Sequence, residues 1–311
     1  FHTTRFSSGS VSGVRRGAVL IRQKTILSLL NCVRKPLSAT VFVKLMFLLR
    51  EETDLQKEEA FYDFLPYHYG PFSFALYREL GDLRQNGYLT PTENRVELCH
   101  EMLASIKERV EELPYAIRQA VAGIIDRYGG WNQDALIADV YARYPWYATN
   151  SQLVNRDSTI SRKAKKAALA VYTTGYQGKS VDSFFNGLLK RGINAIIDVR
   201  ANPVSRKYGF SLRRLSEITK KLNLIYYHVP SLGVPSKLRS DLDGYESYKR
   251  LLNLYEKELL KTVEGDITKV GQLMRERPSI LLCFENDVRY CHRSRLAEAV
   301  SRSCGLQVVH L

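Results

Sequence analysis

No stretch of the 311-residue chain stays apolar for the roughly 18 residues that a membrane-spanning helix requires. No apolar segment of the secretory kind follows its basic start either, so neither a span nor an ordinary export signal is expected. Cysteine is sparse. The five residues Cys32, Cys99, Cys283, Cys291 and Cys304 are odd in number and scattered. That excludes a disulfide framework and points to a reducing compartment, here taken as the cytoplasm. The zinc-type Cys-x-x-Cys pair is missing. Acidic residues are absent from the first 24 positions, which hold 5 basic residues among Ser and Gly and read as a disordered or tag-like leader.

Acidic residues are also short in the second half. From Arg156 onward there are 28 Lys and Arg against 15 Asp and Glu, a net +13 of the chain's +14. Thr25–Asn155 carries 13 basic and 17 acidic residues, a net −4. A polyanion is therefore expected to meet residues 156–311. The same charge also fits a generally basic, soluble surface.

The helical period begins at Thr25. Thr25–Val33 ends before Pro36, and Ser38 caps a helix with Val41, Leu45, Leu48 and Leu49 inward. A further helix runs from about Phe72 to Leu83 and stops at Asn86-Gly87. Tyr88–Thr90 and Arg95–Leu98 then make a hairpin about a turn at Thr92–Asn94. Helices follow over Glu101–Arg127, bent near Pro114, and over Asn132–Arg143. Helices followed by a small hairpin describe a winged helix. Lys44-Leu45-Met46, Tyr69-Gly70-Pro71-Phe72-Ser73 and Leu80…Leu83…Gly87-Tyr88-Leu89 make residues 25–100 similar to the Panacea (SocA-antitoxin-like) winged-helix family. The resemblance implies binding of a protein partner or of DNA. The acidic balance of this segment favours a protein.

Residues 150–166 read as a basic linker. Beyond it, apolar strands alternate with helices: Ala168–Tyr172, Ala195–Arg200, Leu224–Val229, Ile280–Phe284 and Leu306–His310, with helices between them. Such alternation implies a mostly parallel sheet covered on both faces. The expected organisation is a leader (1–24), a mainly α winged-helix domain with extra helices (25–149), the linker (150–166) and an α/β domain (167–311).

Parallel strands share one carboxyl edge, where open α/β sheets bind ligands. That edge collects Tyr176, Asp198, Arg200, His228 and Glu285, with Cys291, His292 and Arg293 at the start of the next helix. So many polar groups at four strand ends are hard to explain as core. Several motifs in this order resemble the DUF488 family, a group of prokaryotic proteins without an assigned reaction. They are Tyr172–Gly178, Asp198–Arg206, Tyr227-His228-Val229-Pro230, Leu232-Gly233, and Cys283-Phe284-Glu285…Cys291-His292-Arg293-Ser294. Val234 stands where the family often has a second glycine. The resemblance implies an α/β fold and no chemistry.

Residue types must supply the chemistry. Gly175–Ser180 lacks the phosphate-loop spacing, and Ala297 occupies the position a Cys-x5-Arg phosphatase needs for arginine. Cys291 reads equally as a nucleophile activated at a helix start and as a small buried residue. Zinc at Cys283, Cys291 and His292 has no Cys-x-x-Cys support, so no metal is assigned and the cofactor is left open. The expected site has Asp198, Glu285, Cys291 and His292 as catalytic groups, with Tyr176, Arg200, Arg206, His228 and Arg293 binding substrate. Carboxylates with phosphate-binding arginines suit an enzyme on nucleic acid or nucleotides that cleaves glycosidic or phosphoester bonds, in DNA base processing or phage defence. The alternative is a non-enzymatic DNA-binding or regulatory protein acting through the winged helix.

Overall fold

The computed structural model of the chain describes residues 19–58, 61–92, 94–153, 166–239, 242 and 244–311. Most of the expected leader and linker, and Glu93 in the expected hairpin turn, lie outside them. In chain order the first elements are α1 (Ile21–Val33), β1 (Leu37–Ser38), α2 (Ala39–Glu51), β2 (Leu65–Tyr67), β3 (Gly70–Phe72) and α3 (Phe74–Gln85). β4 (Arg95–Val96), α4 (Leu103–Glu111), α5 (Tyr115–Tyr128), α6 (Gln133–Arg143) and α7 (Pro145–Ala148) follow. The α/β part contains β5 (Val171–Gly175), α8 (Val181–Arg191), β6 (Ala195–Asp198), α9 (Leu212–Lys221) and β7 (Ile225–His228). It continues through α10 (Tyr245–Leu254), α11 (Glu264–Glu276), β8 (Ser279–Cys283), α12 (Arg293–Cys304) and β9 (Val308–His310).

The described chain divides into two compact units, one built from residues up to Phe61 with Arg78–Gln133, the other from Tyr62–Tyr77 with Asp134–Leu311. The first is mostly helical. Ser38 caps α2 by accepting from the Val41 amide at 3.3 Å. Pro114 does more than bend the expected helix: it separates α4 from α5 and stands as the N-cap of α5. The Tyr88–Cys99 hairpin forms through Thr90 N–H to Glu97 O and Cys99 N–H to Tyr88 O, at 3.0 and 2.9 Å. Arg95–Val96 pairs with Leu37–Ser38 as a short antiparallel ladder.

The second unit is organised on a five-stranded sheet of order β7-β6-β8-β5-β9, every pair parallel. Period-2 alternation divides its apolar residues between two cores. Ile196, Ile280 and Leu282 pack with Phe184, Phe185, Leu215 and Ile218 of α8 and α9. Val171, Ile197 and Leu281 pack with residues of α10, α11 and α12 on the other face. This is the expected α/β fold. The β2–β3 hairpin also belongs to this unit, placing Leu65 in the core that holds α8 and α9.

The strand order fixes the crevice. β5 and β6 lead to α8 and α9 on one face, whereas the neighbouring β8 leads to α12 on the other. The loops after β5, β6 and β8 gather at the carboxyl edge, the place where such sheets bind ligands.

Candidate functional site

β6 ends in Asp198, which is fully enclosed. Its carboxylate accepts from the Arg200 amide (3.1 Å), Arg200 Nε (2.8 Å), Arg200 Nη2 (2.5 Å) and the Tyr226 hydroxyl (2.7 Å). Arg200 also donates through Nη1 to the Tyr176 hydroxyl and the Phe210 carbonyl, both at 2.9 Å. Tyr176 stacks on Phe210 with ring centroids 4.2 Å apart. Burial opposes the Arg200 charge, but the hydrogen bonds and charge of Asp198 outweigh it and raise the guanidinium above its ordinary value. Burial and the Asp198 charge likewise raise the Tyr226 phenol. This network holds the first part of the β6 loop. His228 Nε2 lies 3.0 Å from the Arg200 carbonyl and adds to it.

β8 ends at Cys283, and the chain then passes close over the end of β5. The Phe284 carbonyl accepts from the amides of Tyr176 and Gln177 at 3.1 and 2.9 Å. A Cβ on Gly175 would stand 1.8 Å from the Glu285 carbonyl oxygen, so only glycine fits there. Arg293, buried at the start of α12, donates to the carbonyls of Glu285 and Asn286. Its guanidinium holds the loop rather than reaching into a cleft.

The loop and the start of α12 assemble a compact cluster. The ligand atoms of Cys283, Cys291 and His292 all lie within 4.8 Å of one another, and all three side chains are buried. His292 Nδ1 is 3.7 Å from Cys283 Sγ and 3.4 Å from Arg239 Nη2, while its Nε2 is 3.3 Å from the Val199 carbonyl. Glu285 Oε2 is 3.4 Å from Cys283 Sγ, and its Oε1 faces Arg239 Nη1 at 3.8 Å. Helix α10 passes into one π-helical turn at Tyr255–Leu259. This turn sets the Tyr255 ring edge-on to His292, centroids 5.2 Å apart, with its hydroxyl donating to Leu232 O at 2.6 Å.

The two thiols are unequal. A hydrogen bond from Cys291, helped by His292 and the Phe284 amide, pulls Cys283 well below the ordinary thiol value despite burial. Burial and the neighbouring Cys283 push Cys291 well above it. Burial, then the Cys283 charge, raises the Glu285 carboxyl.

Two clefts open here. One of about 330 Å³ is lined by Arg239, Tyr248, Tyr290, Glu285 and His292 among others. The second, of about 300 Å³, includes Tyr176, Arg200, Arg206, Arg239, Cys283 and Phe284. Val234 and Arg239 line both. Of the residues expected from sequence, Tyr176, Arg200 and Arg206 thus share one cleft, and Glu285 and His292 the other. Cys291 lies behind Glu285 in the buried cluster, while Asp198, His228 and Arg293 act on backbone and on Arg200. Sequence reasoning missed Arg239. Its signal was the basic pair Lys237 and Arg239 in the connection after β7.

Val234, 2% exposed and packed in the core with residues of α10, α11 and α12, borders both clefts beside Arg239. Gly233, by contrast, is required: a Cβ there would stand 2.1 Å from the Ala201 nitrogen.

Among the described residues no helix is long and apolar enough to cross a membrane. Neither curated proteins nor solved structures give a match to the chain. Residues 180–300, which carry Arg200, Arg239, Glu285 and the Cys–Cys–His cluster, match the family model described as a domain of unknown function, DUF488.

Proposed function

We propose that the protein is an enzyme acting on nucleotides, free or within a nucleic acid, at a glycosidic or phosphoester bond. The observation that carries this reading is the pair of clefts sharing Arg239, one bearing a carboxylate and the other two further arginines. Glu285 is the acid/base group, because its carboxylate is the acidic side chain that reaches a cleft wall. Arg206 and Arg239 hold phosphate, and guanidinium forks suit its oxygens. Phe284, 42% exposed beside them, offers a ring on which a base stacks. Asp198 orients Arg200 instead of touching substrate.

Incubation with DNA, RNA and a nucleotide panel, with products identified by mass spectrometry, tests the reading. Glu285→Gln is expected to lower turnover by about 10²–10⁴-fold while leaving substrate binding nearly intact. Turnover unchanged by that substitution, or no panel member processed by the wild type, sinks it.

A second reading has one observation in its favour. In the first unit a short antiparallel ladder, Leu37–Ser38 with Arg95–Val96, accompanies the Leu89–Leu98 bridge and the helices. That arrangement supports the winged-helix resemblance and a non-enzymatic role in binding DNA or a protein. The net −4 of Thr25–Asn155 favours a protein partner. Binding of a protein partner, or salt-sensitive binding of DNA, that survives Glu285→Gln, with no turnover by the wild type, is its signature.

A further inference from the structure

We infer that Cys283, Cys291 and His292 form a transition-metal site suited to Zn²⁺, with a fourth coordination position beside Glu285. The inference does not depend on the substrate reading above. Three ligating groups converge from the end of β8 and the turn into α12, their donor atoms within 4.8 Å of one another. Tetrahedral zinc, with bonds of about 2.3 Å to sulfur and about 2.0 Å to nitrogen, sets those two donors roughly 3.5 Å apart. Cys283 Sγ and His292 Nδ1 are 3.7 Å apart. Little movement is needed to close that edge on an ion.

The surroundings orient the imidazole. The Val199 carbonyl, 3.3 Å from Nε2, can only accept, so the neutral ring that binds a metal carries its proton on Nε2 and presents the Nδ1 lone pair to the sulfurs. A backbone carbonyl on the far nitrogen is the usual outer-shell partner of a metal-bound histidine. Two thiolates and an imidazole select a soft or borderline ion over Mg²⁺ or Ca²⁺. Two thiolates also neutralise Zn²⁺, which answers the cost of burying them singly.

Arg239 is the group that must yield. Its Nη2 takes the Nδ1 lone pair at 3.4 Å, but its side chain is 33% exposed and its ion pair with Glu285 is long, at 3.8 Å. It can swing toward the cleft as the ion enters. Glu285, with Oε2 3.4 Å from Cys283 Sγ, then stands at the open position. Three protein ligands with one position open is the coordination of catalytic rather than structural zinc.

The test uses the full chain, reduced, stripped with chelator and reloaded with Zn²⁺ or Co²⁺ alone. One zinc per chain by elemental analysis is expected, with affinity lowered at least about tenfold in Cys283→Ser and Cys291→Ser and retained in Glu285→Gln. The Co²⁺ protein should show thiolate-to-cobalt charge transfer and tetrahedral d–d bands, a readout that needs no variant to fold. Absence of bound metal in the wild type overturns the inference. So does a cobalt spectrum without thiolate charge transfer, or serine variants that fold and bind as tightly as wild type.

Discussion

At the scale of single residues, the site rests on groups whose contacts are with other parts of the protein. Asp198 is one. Its two oxygens are occupied by Arg200 and Tyr226, so removing the carboxylate leaves a buried guanidinium without its counter-charge. Breaking one half of such a buried pair costs about 3–5 kcal/mol. Asp198→Ala is expected to lose that much in urea denaturation, and a loss under about 1 kcal/mol would show that Arg200 re-pairs easily. Gly175 is another. Backbone on both sides leaves no flexible end to yield, since an added Cβ meets the Glu285 carbonyl carbon and the Asn286 nitrogen as well as the Glu285 oxygen. Gly175→Ala should cost about 1–3 kcal/mol by overpacking and displace the loop that carries Glu285. Wild-type zinc affinity in that variant would mean that the loop moves without disturbing Cys283 and His292.

At the scale of elements, helix α8 supplies a cap to helix α3 far away in the chain. Asp182, wholly buried in the first turn of α8, accepts from Ser73 Oγ (2.9 Å) and from the amides of Phe74 (2.6 Å) and Ala75 (3.0 Å). Those amides are donors that open a helix and have no partner within it. Burial raises the Asp182 carboxyl to about 7 in spite of these three donors, with the Asp63 charge adding to the rise. The sign follows from proton linkage. Between the unfolded value of 3.8 and about 7 the folded chain holds a proton that the unfolded chain has lost. Stability from this group is therefore full below the lower value, falls through that window, and stays low above it. The span corresponds to about 4 kcal/mol. Denaturation at pH 4 and pH 7 should show wild type losing roughly that much more than Asp182→Asn, and equal losses would refute the shift. Nothing in the sequence joined residue 182 to residues 73–75. The strands of the sheet were legible because their apolar runs and intervening helices are local signals, and the parallel edge then followed from topology. Cys283, Cys291 and His292 could be named from sequence as a possible zinc set but not assigned as one, because a seven-residue loop separates the thiols and no ligand spacing announces it. The place of β2–β3 beside α8 was hidden for the same reason: only tertiary packing decides it.

At the scale of the whole molecule, charge is the property that discriminates between partners. Residues from Arg156 onward carry the net +13, and the exposed Arg206 stands at the mouth of the cleft that also holds Arg200 and Arg239. Phosphates met by such a surface release condensed cations, so affinity for a nucleic acid falls linearly in log–log terms as salt rises. Each phosphate contact contributes about one unit to that slope. Arg206→Ala in the full chain should therefore lower the slope by about 1 and weaken binding alike across sequences. Arg95→Ala is the control, an exposed arginine in the acidic half that should leave the slope unchanged. The opposite pattern, with Arg95 carrying the salt dependence and Arg206 silent, would transfer nucleic-acid contact to the first unit and leave the basic rim without a polyanion to explain it.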